Sequence, residues 1–450
     1  MNVPTSSVAG MTRLRPLARA IGSALALVGV VAIGIAAVRR VLPRRGAPRG
    51  VARGAAQRVL VISEHDFPSH PLLYRNIDAL LLGGAHVDLV CAGEGPAIPE
   101  TRPSLRIHRV RMDHRRTSRL RYLVEYFGFF FASLPTVWWW SLRNRYDTVQ
   151  VDNMPDFLVF SAVVARLRGA RVILCLFELM PELTAVRLGL SNGHPVVRVV
   201  RALEWLALAW SDHVIAVNQA CREVLLARGL APDRVTVVPN TVPFPEALRE
   251  PIAHQPVVVT HATLVERYGV HVALEAFARL HRARPELRML VLGTGEELPR
   301  LRALADQLGI ADRVEFTGFL PWYQAMSRIR ECSVGVVPVL SDGYGQYMVP
   351  MKIYDYVTMG VPAVSSRLAA VQDYFPEDAL SYVPPGDPAA LASAIERLID
   401  DPEAATRQQA AAEHAMSAIE WETAQVDYYS VIGLDAPAAR DRTREAARVG

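Results

Sequence analysis

VVVTHATLVERYGVHVALEAFARLHRARPELRMLVL, residues 257–292, is the stretch from which the architecture is read. A β-branched run at 257–260 gives way to an amphipathic helical pattern at 270–280, then to a second apolar run at 288–292. Strands that read as continuous hydrophobic runs are buried on both faces, and helices between them imply a parallel sheet covered on both sides. The alternation continues through 297–307, 313–317, 333–337, 352–359 and 362–365. Toward the N-terminus it runs through strands at 59–62, 86–91, 147–151, 172–176, 213–217 and 234–238, with an amphipathic helix at 72–82. This predicts an α/β protein of two doubly wound, Rossmann-like domains, with chemistry expected in a cleft where the strand C-termini face each other. Pro243, Pro245 and Pro251 mark 240–251 as the link between domains at 58–245 and 246–415.

The chain has 450 residues, enough for two domains, and is 51% hydrophobic, which excludes a mostly disordered chain. Its four cysteines, Cys91, Cys175, Cys221 and Cys332, lack paired spacing, so a disulfide scaffold and a cysteine-ligated zinc are not expected. The net charge of +4 is uneven: residues 1–60 hold ten Arg and no acid, leaving 39 basic against 45 acidic residues beyond them. The body is therefore not basic, and no nucleic-acid partner is expected.

Residues 20–38 form an uncharged apolar run of nineteen. At ~1.5 Å per residue it reaches about 28 Å, enough for a transmembrane helix through a hydrocarbon core of ~30 Å. Three arginines precede it and five follow by Arg49, which predicts a single-pass inner-membrane anchor with the body cytoplasmic. Residues 43–57 read as a flexible linker within the 1–57 leader. Between 102 and 121 stand eight Arg and one acid, followed at 122–140 by Phe127, Phe129, Phe130, Phe131 and Trp138-Trp139-Trp140. Glu125 and Pro135 interrupt that segment, so it is not read as a second span. It is either an interfacial segment in the headgroup region or a buried helix with a solvated Arg face.

The second half carries the sharper local signals. Leu292-Gly293-Thr294-Gly295-Glu296 links a strand to a helix and lets backbone approach a ligand. Asp342-Gly343-Tyr344-Gly345 leads into Met348-Val349-Pro350-Met351-Lys352-Ile353-Tyr354-Asp355-Tyr356 and Gly360-Val361-Pro362. A helix starting near Pro350 aims free N–H groups outward, suited to a diphosphate, with a carboxylate one turn inside for ribose hydroxyls. Lys352 is the only lysine, against 48 arginines, which singles out a compact ammonium; the alternative is a chance survivor on a solvated face.

Residues 240–401 resemble the donor-binding half of glycosyltransferase family 4, enzymes of the GT-B fold. His261 through Gly269 resembles the first donor loop, Phe316-Thr317-Gly318-Phe319-Leu320 the stretch that meets the base, and Met351 through Pro362 the Lys-x-x-acid-Tyr block before Gly-x-Pro. Met180-Pro181-Glu182, Val237-Val238-Pro239-Asn240 and a C-terminal helix at 416–434, crossing back to the first domain, extend the likeness to about Leu434; 435–450 is expected to be a disordered tail. The resemblance implies that Lys352 holds the donor diphosphate, that Arg267 substitutes for a basic residue of the loop, and that Asp355 takes the ribose. Thr263, Gly293, Gly295, Gly318 and Phe319 would line the donor. Ala262, Thr263 and Tyr268 depart from the usual Gly and basic residues, Tyr347 replaces an acid, and Phe177-Glu178 replaces a His-Asp pair, leaving Glu178 as a catalytic candidate.

In the first half Glu64, His65, Asp66, Asn153, Glu178 and Asn218 stand where strands should end, either as an acceptor site or as caps and turn residues. No Asp-x-Asp or His/Cys cluster suggests a metal, and no cofactor beyond the nucleotide-sugar substrate is expected. The combined reading is a membrane-anchored hexosyltransferase that moves a sugar from a nucleotide-sugar donor to a lipid-linked or glycan acceptor of the cell envelope, with retention. The rivals are a non-catalytic nucleotide-sugar-binding protein and a GT-B-fold epimerase.

Overall fold

The computed structural model describes residues 56–94, 102–112, 119–243 and 255–436. The expected anchor at 20–38, most of its linker, the prolines Pro245 and Pro251 and most of the C-terminal tail lie outside the described residues. Among the described residues no helix is long and apolar enough to cross a membrane.

Seven strands, β1 (Arg58–Asp66), β2 (His86–Ala92), β3 (Leu105–Val110), β4 (Thr148–Asp152), β5 (Arg171–Leu176), β6 (His213–Ala216) and β7 (Val235–Val237), form one sheet in the order β3-β2-β1-β4-β5-β6-β7. Six more, β8 (Gln255–His261), β9 (Arg288–Leu292), β10 (Val314–Gly318), β11 (Cys332–Val337), β12 (Ala363–Ser366) and β13 (Ser381–Val383), form the second in the order β10-β9-β8-β11-β12-β13. In both, the chain starts centrally, moves to one edge and returns to build the other side, the doubly wound order expected from the alternation. Pairing is parallel between β8 and both neighbours, with Val259 opposite Leu290 and Gly335. Val258, Val291, Val334 and Val336 are buried together with Leu274 and Phe277 of helix Val270–His281, so the apolar stripe of that helix is what covers the sheet.

The chain divides into two compact units. One takes in the chain up to His70, Gly84–Ile215 and Leu230–Val235; the other takes in Pro71–Gly83, Ala216–Gly229 and everything from Thr236 onward. Helix Pro71–Leu82 joins the second unit through the C-terminal helix Trp421–Ile432, where the Tyr429 hydroxyl donates to the Ala79 carbonyl at 2.8 Å and the Arg75 guanidinium lies over the Trp421 ring.

The arginine-rich stretch differs from its sequence reading, because part of it is the edge strand β3. Arg106 makes two hydrogen bonds to Asp88 of β2, at 2.8 and 2.7 Å, and lies over the Trp140 ring. The aromatic segment that follows is one continuous helix, Arg119–Arg143, with Pro135 inside it rather than ending it. One face is buried, with Phe129, Ser133 and Val137 fully covered; the other leaves Phe131, Trp138 and Trp139 exposed. The covered face accords with the reading of this segment as a buried helix. β13 and the short helix Asp156–Ala162 were not anticipated.

Candidate active site

The site of the second unit is assembled at the C-terminal ends of β8 and β11 and the start of helix Met351–Thr358. Tyr356 fixes that helix on the sheet. Its fully buried hydroxyl donates to the Val259 carbonyl and accepts from the His261 N–H, both at 3.3 Å, and its ring fills the space beside Gly335. Burial pushes the phenol well above its ordinary pKa, so it stays a neutral donor. Pro350 starts the helix with no side chain capping its first turn; the Ile353 N–H turns back to the Pro350 carbonyl at 3.0 Å, and the turn aims its earlier N–H groups outward.

Lys352 lies in that turn and is 5% exposed. Its Nζ is buried with no hydrogen-bond partner among the described residues and sits over the Tyr268 ring, 4.8 Å from the centroid. Burial pushes the ammonium down to about 7, against the opposing pull of the Asp355 carboxylate. A cation held dry without an acceptor is unfavourable, and an incoming anion relieves it.

Asp355, one turn further, is buried and engaged: its Oδ2 lies 2.9 Å from Nε2 of His261, whose Nδ1 is 3.2 Å from the Tyr356 hydroxyl. His261 ends β8 and is the residue that sequence reasoning passed over, although it stood first in the quoted donor loop. Arg267 is likewise tied. Its Nε and Nη2 donate to Asp342 Oδ2 at 3.3 and 3.2 Å, and its guanidinium lies over the Tyr344 ring. Asp342 Oδ1 accepts from the N–H groups of Tyr344 and Gly345, so one carboxylate orders the glycine-bearing loop and anchors the arginine.

Gly293 and Gly318 come together, with the Gly293 N–H donating to the Gly318 carbonyl at 2.9 Å. A Cβ on Gly293 or Gly295 would stand 1.9 Å from the Ala262 carbonyl oxygen or 2.2 Å from that of Leu264, so the close approach these glycines permit is to the chain's own loop after β8. Thr263 is exposed on that loop, and Phe319 is 75% exposed beyond β10. Glu178 is not part of this assembly. It belongs to the first unit, where its carbonyl accepts from Asn153 Nδ2 at 2.7 Å while Asn153 Oδ1 accepts the Phe177 N–H. Asn153 is thus a turn residue, and Asn218 caps helix Gln219–Ala227 by accepting the Cys221 N–H at 2.8 Å. Nearby in the first unit, His65 stacks on His70 and meets Phe177 edge-on.

Residues 255–401 match the family Glycosyl transferases group 1, and residues 70–241 match the Glycosyl transferase 4-like domain. The lipopolysaccharide core biosynthesis glycosyltransferase LpsE of Rhizobium meliloti is 34% identical over 157 residues, 34% of this chain and 43% of that protein. The lipopolysaccharide 1,6-galactosyltransferase of Salmonella typhimurium is 23% identical over 162 residues, 35% of this chain and 44% of that protein. The chain spans about a quarter to a third of the length of the first curated relatives it matches, 26% and 34%. Among solved structures, Anabaena HepE in complex with UDP superposes with a TM-score of 0.61 at 16% identity, covering 84% of this chain and 99% of that one; the likeness shows the fold.

Proposed function

From the premise that the chain belongs to the GT-B glycosyltransferases, each half matching a glycosyltransferase domain, we propose that it moves a hexose from a nucleoside-diphosphate donor to a lipid-linked or glycan acceptor of the cell envelope. The observation that carries this reading is Lys352: a buried ammonium with no hydrogen-bond partner among the described residues, in the first turn of a helix that no side chain caps. Both features favour a diphosphate, and both strengthen as the bond to the sugar breaks and charge collects on the leaving oxygen. Asp355, held by His261, offers a carboxylate one turn away for ribose hydroxyls. Arg267 stands beside Tyr268, whose ring meets Lys352, and is the second cation of the site. That HepE is in complex with UDP supports a nucleotide donor, and lipopolysaccharide in the relatives' names supports an envelope acceptor. The transfer is taken to retain anomeric configuration without a metal, Glu178 of the first unit serves the acceptor side, and residues 20–38 anchor the body on the cytoplasmic face of the inner membrane.

The test is a screen of UDP- and GDP-sugars against the full chain for binding, followed by nucleotide release with membrane lipid extract. Acceptor-dependent release that falls by about 10²-fold or more in Lys352→Ala, with the fold intact, is the expected result. Binding without release under any acceptor would make the chain a donor-binding protein, and release of an epimerised nucleotide sugar would make it an epimerase.

A further inference from the structure

Three helices of the first unit turn apolar side chains outward. Of the eleven large hydrophobic side chains left exposed among the described residues, eight lie on them. Helix Arg119–Arg143 contributes Val124, Phe131, Trp138, Trp139 and Leu142, spaced so that at 3.6 residues per turn they line one stripe about 27 Å long. Leu167 ends helix Val163–Leu167, and Val199 and Trp205 face outward from helix Pro195–Trp210. Helices Arg119–Arg143 and Pro195–Trp210 both pack against Asp156–Ala162, and Val163–Leu167, which continues from it, packs against Arg119–Arg143, so that short helix joins all three. The charges are sorted as well. The two acids on these helices, Glu125 and Glu204, are buried, whereas Arg143, Arg168 and Arg198 are exposed. An apolar patch of this extent marks an interaction surface rather than ordinary solvent exposure.

We propose that this face docks on an anionic lipid bilayer, its rings at the headgroup level and its arginines among the phosphates. Tryptophan beside arginine suits that layer, because the indole has an apolar body and a polar N–H edge and a guanidinium pairs with phosphate, while phenylalanine adds apolar area. Trp138 shows the arrangement, with its Nε1 donating to the Ser161 carbonyl and its ring exposed. The uncharged run at 20–38 would hold a bilayer within the nineteen-residue linker from β1, a reach of at most about 65 Å.

The four native cysteines are buried, so single added cysteines can be labelled selectively. Trp139→Cys and Trp205→Cys, at positions 54% and 58% exposed, carry an environment-sensitive dye on two helices of the face, and Val426→Cys, at a position 59% exposed in the second unit, is the control. The full chain is reconstituted into phosphatidylglycerol–phosphatidylcholine vesicles and into neutral phosphatidylcholine vesicles, each with brominated acyl chains as quencher. The dye at both face positions should shift to the blue and be quenched in anionic vesicles alone, while the control stays water-like. Arg198→Ala should weaken the docking equilibrium about fivefold, and 0.5 M salt should reverse it. Quenching no greater than the control, or equal in neutral and anionic vesicles, overturns the proposal. A blue shift that needs no lipid and grows with protein concentration puts a second copy on the face and overturns it too.

Discussion

Donor affinity should fall as pH rises, and Lys352 should be the reason. In the free protein burial holds this lysine at about 7, far below the 10.5 of an exposed amine. A diphosphate beside the ammonium favours the charged form, so the bound state keeps its proton well above that pH. Binding therefore takes up a proton wherever the free site has lost one. At pH 6.5 about three quarters of free sites are protonated and at pH 8.5 about 3%, so the dissociation constant should rise about 25-fold, or about 2 kcal/mol, across that interval. A UDP-sugar is the ligand to use, because its diphosphate is a diester that does not titrate in this range, whereas free UDP has a terminal phosphate that does. Calorimetry at pH 8.5 in two amine buffers of different ionisation heat should report uptake of close to one proton, and about half a proton at pH 7. Lys352→Met should bind weakly with no uptake and a flat profile. Repeating the series with His261→Gln separates the lysine from the imidazole beside Asp355. A parental affinity that stays flat from pH 6.5 to 8.5 with no buffer-dependent heat would mean that Lys352 does not meet the donor, and the site would have to be sought elsewhere.

The same burial predicts a stability effect of opposite sign: since the folded state holds the lysine near 7 and the unfolded chain near 10.5, the unfolded state binds more protons between them. Stability should thus rise with pH above 7, and Lys352→Met should raise the ligand-free melting temperature at pH 7 by a margin worth a few kcal/mol, lost on approaching pH 10; an unchanged or lower melting point would contradict the burial. Asp355→Asn should weaken donor binding about tenfold with a smaller loss of turnover, read as KM against kcat, because the ribose contacts proposed for it lie away from the breaking bond. Gly269, at φ 63° and with a Cβ that would stand 1.8 Å from the Pro338 carbonyl oxygen, should lose more than about 3 kcal/mol on change to Ala. Gly309, at φ 71° with open space around it, should lose only about 1 kcal/mol in the same denaturation assay; equal losses would deny the contact.

How far the sequence could be read follows from how each element is stabilised. Strands buried on both faces, such as 288–292 and 333–337, announce themselves as apolar runs, and the structure places strands there. β3 does not, because it is an edge strand whose Arg106 points to Asp88 and Trp140, so its basic side chains mask the two-residue period. β13 is three residues long, too short for any period. In helix Arg119–Arg143 Pro135 is exposed, and the helix is held by its buried face despite the lost N–H.

The site divides along the same line. Lys352 was legible as a candidate because composition isolates it, one lysine against 48 arginines, and the structure then supplies what composition cannot: burial, the Tyr268 ring and the lack of a hydrogen-bond partner among the described residues. His261 and Asp342 were not legible as site residues, since each acts through a partner far along the chain, Asp355 at a separation of 94 residues and Arg267 at 75. Only the parallel register that brings β8 and β11 side by side closes those distances. One consequence reaches the chemistry. Arg267 is ion-paired in the free protein, so recruiting it to a diphosphate means competing with the Asp342 carboxylate, whereas Lys352 needs no such exchange. If the proposed function holds, donor binding is expected in two stages: the ammonium meets the diphosphate first, and the guanidinium adds its charge only when the loop of Asp342 yields.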